Sequence, residues 1–272
     1  DYDARWGSAS TLLTVEDLDI TMVPGGVGVK ALEIPAQTGT VGVTVTTNCS
    51  ITGGATGILA DGDNATVTVV DNTATITGNT IGVEVTNNAS ASVTTSSITA
   101  NGLGIKVHKG GKLTACSNNF ITNNTVGGIL VGSDAGVIAN IYQNDISGNP
   151  ANKAIENQFA TAISATCNWY GPISVSIPLT YLTGPITFKP FLDSGVDSPT
   201  GNQGFQPAGN CIICAPLTLA ESHVDVTCFG GSNGSVDLSV TVGVGPFTYA
   251  WTTADGEIPT GQLQQLLKPG QR

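Results

Sequence analysis

Ile76-Thr77-Gly78-Asn79 returns one step later as Ile98-Thr99-Ala100-Asn101. The same phrase recurs as Ile121-Thr122-Asn123-Asn124 and Ile146-Ser147-Gly148-Asn149, and an earlier copy, Ile51-Thr52-Gly53-Gly54, has glycine in place of the last Asn. The five isoleucines are nearly evenly spaced. Two other columns keep step with them. Six to eight residues after each Ile comes a small residue followed by a β-branched one, in Gly57-Ile58, Gly82-Val83, Gly104-Ile105, Gly128-Ile129 and Ala154-Ile155. Two residues before the Ile stand Ser96, Asn119 and Asn144, and this column continues at Asn168.

The period is about 24 residues, within the range of solenoid repeats. Each period holds three short alternating runs separated by Gly, Asn or Asp. Between Ala65 and Asn88 these are Val67/Val69, Ala74/Ile76 and Val83/Val85. Alternation with period two puts one face of each run inside and the other outside. One such unit cannot bury its inner face alone, but stacked units bury a continuous column. The expected fold is therefore all-β: a parallel β-helix with three strands per coil. Asn79, Asn101, Asn124 and Asn149, and in the second column Ser96, Asn119, Asn144 and Asn168, are expected to form inward polar ladders. There each amide satisfies its neighbours and the turn backbone. Irregular strand spacing would mark a β-sandwich instead, and calcium-binding nonapeptide coils would need GGxGxD units; neither is found. The segment from Leu12 to Gly39 fits one or two coils with longer excursions.

Composition agrees. Of 272 residues 11% are charged, 36 are Thr, 35 Gly and 20 Asn, and the net charge is −11. Gly, Thr, Val and Asn are poor helix formers. The only arginines are Arg5 and Arg272, so the clustered basic charge that nucleic acid requires is missing. No apolar run reaches the length of a membrane-spanning helix, roughly 18 residues or more. The ends, Asp1-Tyr2-Asp3 and Gly270-Gln271-Arg272, read as those of a piece of a longer protein. Cys211 and Cys214 have CxxC spacing, but neither His108 nor His223 has ligand spacing to complete a zinc site. The six cysteines read as buried thiols early in the chain and disulfides late, with pairing left open.

The repeat breaks after Cys167. Asn168-Trp169-Tyr170-Gly171 introduces large aromatics suited to covering the open end of the stack. Gly184-Pro185-Ile186-Thr187-Phe188-Lys189-Pro190-Phe191-Leu192 follows, and later Gly204-Phe205-Gln206-Pro207. These stretches resemble the closing segment of pectate-lyase-like β-helix domains found in large secreted surface proteins of Bacteroidetes-type bacteria, and the resemblance implies a right-handed parallel β-helix. Farther on, Val226-Thr227-Cys228-Phe229-Gly230-Gly231-Ser232-Asn233-Gly234-Ser235-Val236 and Val244-Gly245-Pro246-Phe247-Thr248-Tyr249-Ala250-Trp251 resemble the SprB-type repeat of gliding-motility adhesins. That resemblance implies a small β-sandwich, partial here because its final strand and closing Cys would lie beyond Leu267-Lys268-Pro269-Gly270. The expected organisation is a β-helix with its cap over 1–192, a Gly/Ser/Pro/Asn/Asp-rich linker over 193–216 and the partial repeat over 217–272.

Activity is less legible. Polysaccharide lyases of this fold use carboxylate-held calcium and an Arg or Lys base, but the coils contain no internal Arg. Hydrolases need clustered carboxylates, whereas Asp71, Glu84, Asp134, Asp145 and Glu156 are scattered. Asp61 and Asp63, alternating across a tight turn, are the candidate calcium ligands, although such residues also form ordinary turns; no other cofactor is implied. Glu84 and Lys106 are expected to pair on one outer strand face, in the column Leu59, Glu84, Lys106, Leu130 and Glu156. Outward threonines such as Thr44, Thr46, Thr66 and Thr68 suit exposed strand positions; the later coils do not continue them as an ice-binding array. The candidate ligand-binding residues are Tyr142, Phe120, Lys106 and Glu84. The sequence therefore reads as a secreted, cell-surface structural or adhesive module within a chain of further repeats, its outer faces meeting glycans or another surface. A carbohydrate-active enzyme and a ligand-free spacer rod are the alternatives.

Overall fold

In the computed structural model the described residues are 2–4, 10–33, 39–71, 75–151, 153–172, 181–212, 218–225, 227–228 and 233–242. They divide into two compact units that part at residues 213 and 214. The first is a solenoid of about six coils.

Three parallel sheets run its length. The first stacks Val27–Leu32, Thr56–Asp61, Ile81–Thr86, Leu103–Val107, Gly127–Val131, Ile155–Asn157 and Leu182–Thr183. The second stacks Thr11–Val15, Val41–Val45, Ala65–Val70, Ser90–Thr94, Lys112–Ser117 and Ile141–Tyr142. The third stacks Asp19–Thr21, Ser50–Thr52, Thr75–Thr77 and Ser97–Ile98, and single bridges carry it on through Phe120, Asp145 and Trp169. Every partner lies one coil away, so like residues stack on like. Val29, Ile58, Val83, Ile105, Ile129 and Ile155 form one buried column. Val15, Val45, Val69, Val93, Cys116 and Ile141 form another. Cys116 stands there as a small apolar side chain, and burial pushes its thiol up to about 12. Cys49 is also a buried thiol.

The corners explain the Asn columns. Each ladder residue directly follows a residue with left-handed backbone. Gly53, Gly78, Ala100, Asn123 and Gly148 precede Gly54, Asn79, Asn101, Asn124 and Asn149; Thr95, Asn118, Gln143 and Cys167 precede Ser96, Asn119, Asn144 and Asn168. A left-handed residue bends a strand sharply and breaks its ladder of hydrogen bonds. The next side chain, turned inward, replaces what is lost. Asn101 Oδ1 accepts the Asn79 backbone N–H at 3.1 Å and the Asn79 side-chain amide at 3.1 Å. Asn101 Nδ2 donates to Ile76 O at 2.8 Å and to Asn124 Oδ1 at 3.2 Å. Asn119 does the same toward Ser96, Val93 and Asn144, and Asn144 passes the pattern to Asn168. The Gly54 N–H, first in its column, donates to Asn79 Oδ1 at 3.0 Å.

The Gly-Ile pairs also have a steric cause. A Cβ on Gly104 would lie 2.5 Å from the Gly128 carbonyl oxygen and 2.8 Å from Ile121 Cγ2. Gly57 and Gly82 meet the same two groups one coil on, at nearly the same distances.

Tyr170, Phe191 and Leu192 are buried at the closing end, as the aromatic break in the sequence predicts. Residues 193–212 differ from the expected linker, because they belong to the solenoid unit. Cys211–Ile212 pairs antiparallel with Phe191–Leu192, and Cys211 is disulfide-bonded to Cys167. The polar, Gly-rich composition of this stretch comes from a hairpin whose aromatic residue, Phe205, is fully buried.

In the second unit Thr218–Val224 pairs antiparallel with Ser235–Val242. Asn233 Oδ1 accepts the Thr227 N–H at 3.1 Å, and Asn233 Nδ2 donates to the Thr227 hydroxyl at 3.0 Å. Cys214, residues 229–232 and residues 243–272, with the Gly245–Trp251 and Leu267–Gly270 motifs, lie outside the described residues.

Candidate functional site

The solenoid presents three outer faces, and the four ligand-binding candidates are spread over all of them. Glu84 and Lys106 are on the first sheet, Tyr142 on the second and Phe120 on the third.

On the first sheet the outward column is Leu59, Glu84, Lys106, Leu130 and Glu156, in that register. Glu84 Oε1 is 3.3 Å from Lys106 Nζ and 2.9 Å from His108 Nε2, while Oε2 accepts the Thr56 hydroxyl at 3.2 Å. His108 is not among the expected residues. Strand alternation places it beside Lys106, two positions on, and that signal is present in the sequence. Farther along, Lys153 and Gln158 both donate to Glu156, and these contacts, Lys153 first, hold its carboxyl below the usual range. Glu84 and Glu156 are three strand steps apart, about 14 Å along the sheet at about 4.8 Å per step. Paired glycosidase carboxyls stand about 5–9.5 Å apart.

On the second sheet Thr14, Thr44, Thr68 and Ser92 form one column, followed by Ala115. Tyr142 is 40% exposed beside Ser117.

The turn that carries Asp61 and Asp63 is tied by side chains from adjacent coils. Asp61 Oδ1 accepts Asn87 Nδ2 at 2.6 Å, and Glu33 accepts both the backbone N–H and the side-chain amide of Asn64 at 3.1 Å. Asp63 is exposed. Among the described residues no group of three or more His, Cys, Asp or Glu is placed to hold a metal ion.

The third face is the most elaborated. Its outward column is Thr75, Ser97, Phe120, Asp145 and Trp169, and the hairpin of residues 193–211 lies over part of it. The Ser198 N–H donates to Gln206 O at 2.8 Å and the Ala208 N–H to Val196 O at 2.9 Å, joining the hairpin's arms. The Cys167–Cys211 disulfide fastens its base. At the tip, the Phe205 ring meets Phe120 with centroids 5.5 Å apart at 60°. The Phe205 N–H donates to Asn118 O at 2.8 Å, and Asn118 Nδ2 donates to Phe205 O at 3.2 Å. Gly204, at φ +66°, lies so close to Asn118 O and the Thr95 backbone that a Cβ would overlap both. Gly195 similarly lies against the Trp169 indole. Burial here raises the Asp145 carboxyl above its ordinary range; bonding to Ser147 opposes that shift, and the nearby Asp197 charge adds to it. Beyond the tip a cleft of about 320 Å³ remains, with Thr75, Ser97 and Phe120 on the sheet side and Gly201, Asn202, Gln203 and Gly204 on the hairpin side.

Residues 9–169 match the family model described as the right-handed β-helix region. The chain belongs to the right-handed β-helix family. Residues 220–256 match the SprB repeat. No curated protein and no solved structure matches the chain. A right-handed β-helix followed by a SprB repeat points to a cell-surface, adhesin-like or structural module. In this right-handed β-helix the inward ladders are structural groups, buried and saturated with hydrogen bonds. Chemistry toward a ligand falls to the outer faces.

Proposed function

We propose that this chain is an adhesive rod: a β-helix segment of a secreted surface protein that holds a rigid polar surface against glycans. The observation that carries this reading is the pair of unbroken ladders, Gly54–Asn149 and Ser96–Asn168. They lock successive coils in one register and keep the outer columns aligned. Hydroxyls of Thr14, Thr44, Thr68 and Ser92 on one face, and the hairpin-roofed cleft on another, give sugar hydroxyls donors and acceptors without a charged partner. The likeness of residues 168–207 to pectate-lyase-like closing segments, and of the second module to SprB repeats within longer chains, supports the same context. The acidic net charge of −11 disfavours anionic polymers.

One observation favours an enzyme as the second reading: Glu84, Lys106 and His108 meet on a sheet face. The distance to Glu156 argues against a two-carboxylate glycosidase. Both readings are tested by incubating the full chain with a panel of polysaccharides, with and without Ca²⁺, and measuring bound protein and new reducing ends. Saturable binding without new ends is the expected result. Release of sugar ends overturns the adhesive reading in favour of the enzyme, and no binding across the panel leaves a spacer rod.

A further inference from the structure

We infer that the cleft beneath the hairpin tip, between Thr75, Ser97 and Phe120 on one side and Gly201–Gly204 on the other, is a binding site for one uncharged sugar unit of a glycan. The inference rests on the adhesive reading above and gives it a location and a ligand class.

The first argument is chemical. Every described residue lining the cleft is uncharged: two hydroxyls, two carboxamides, one aromatic ring and two glycines. The hydroxyls of Thr75 and Ser97 and the carboxamides of Asn202 and Gln203 have no hydrogen-bond partner among the described residues. They can therefore donate to and accept from a ligand. A hydroxyl-rich neutral ring needs both kinds of partner, and its C–H face packs on an aromatic surface. An anionic sugar would meet no cation here and would face a chain of net charge −11.

The second argument is that the site is built in advance. Phe120 is held by Phe205, which is itself fully buried and bonded to Asn118 through its own N–H and C=O. The tip is tied by Gln206 Nε2 donating to Gln203 O at 2.9 Å and by Asp197 accepting the Gln206 N–H at 2.6 Å. Gly204 permits the close seating on the coil, and Gly201, at φ +109°, has open space around it. Binding thus orders little that is not already ordered. The volume of about 320 Å³ lies at the low end of the range for small-molecule sites, about 300–1,000 Å³. That size suits a single ring with its neighbours in solvent.

The test uses the full chain and two probe sets: neutral oligosaccharides (cello-, manno- and galacto-tetraose) and tetragalacturonate. Binding is followed by saturation-transfer NMR and titration. At least one neutral probe is expected to bind and tetragalacturonate is not. The double variant Asn202→Ala/Gln203→Ala, at hairpin-tip positions that no hydrogen bond of their side chains ties down, is expected to weaken binding by about tenfold or more. Ser97→Trp, which fills the cleft, should abolish it. Val137→Ala, an exposed position beside the second sheet, should leave it unchanged. Thermal melts of all variants separate lost binding from lost folding. Neutral binding that survives both cleft variants overturns the site while leaving the adhesive reading standing. A preference for tetragalacturonate overturns the ligand class. No binding by any probe overturns the inference, and the polysaccharide panel then decides separately whether the wider reading survives.

Discussion

Replacing Asn119 by alanine tests the claim that the ladders hold the coils together. Asn119 is fully buried. Its Oδ1 accepts the Ser96 N–H at 3.1 Å, and its Nδ2 donates to Val93 O at 2.9 Å and to Asn144 Oδ1 at 2.9 Å. Removal of the side chain orphans the Ser96 N–H; Val93 C=O, which the strand ladder also serves through the pairing of Thr94 with Ser117, loses only its second donor, and Asn144 Oδ1 loses one donor but keeps the Asn119 backbone N–H at 3.0 Å. One buried polar group left unsatisfied costs about 1–3 kcal/mol, and the two further hydrogen bonds lost cost about 0.5–1.5 kcal/mol each, so the expected loss is about 2–6 kcal/mol. In a domain of this size each kcal/mol shifts Tm by about 2–4 °C, and the expected drop is on the order of 10 °C. Ser96→Ala removes only the hydroxyl's bond to Thr94 O at 2.7 Å and should cost about 1 kcal/mol. Circular-dichroism melts give the comparison, and hydrogen exchange at Val93–Ile98 and Ile121 shows whether the opening is confined to adjacent coils, as a stacked repeat requires. If Asn119→Ala melts within about 2 °C of the parent chain, or no lower than Ser96→Ala, the ladder is not what holds the corner and the reasoning fails.

Three other perturbations have defined outcomes. Cys167→Ser opens a crosslink spanning 44 residues, worth about 4 kcal/mol by loop entropy; exchange should accelerate in residues 193–210 and stay unchanged at Val67–Val69. Gly104→Ala forces a methyl against the Gly128 carbonyl and Ile121 and should cost about 1–3 kcal/mol, read from the denaturant midpoint. Asp145 has a raised pKa in the folded chain, so the fold takes up protons between its unfolded value, about 3.9, and that raised value. Its contribution favours the folded state in acid and is lost as pH rises through this window. Asp145→Asn should therefore raise Tm at pH 7, and the gain should disappear below about pH 4; an equal gain at both pH values would show that ionisation is not the cause.

The solenoid is legible because its physics repeats at the spacing of its sequence. Ile76, Ile98, Ile121 and Ile146 recur once per coil, and the Asn after each corner recurs with them. The corners themselves are less visible. Thr95, Gln143 and Cys167 adopt left-handed backbone without being glycine, so nothing in their identity marks the bend. The hairpin of 193–211 reads as a linker because Gly, Ser, Pro and Asp suit a tight turn and a linker equally. Only Phe205 and Cys211 hint at anchorage, and a disulfide partner so distant along the chain cannot be deduced from spacing. The candidate site inherits that gap. Phe120 stands out in the sequence, but its neighbours Asn202 and Gln203 lie on the hairpin. The Glu84–Lys106 pairing follows directly from the repeat register.

The ladders also have a direction. In each column an Asn carbonyl accepts from the coil before it, and its amide donates both back to that coil and on to the next Asn, so the interior coils are wired alike. A whole coil can therefore be duplicated or deleted between Asn79 and Asn149 with each junction rejoined like for like. The molecule would lengthen or shorten by one strand spacing, about 4.8 Å. The length of the solenoid is thus quantised, and coil number alone sets it.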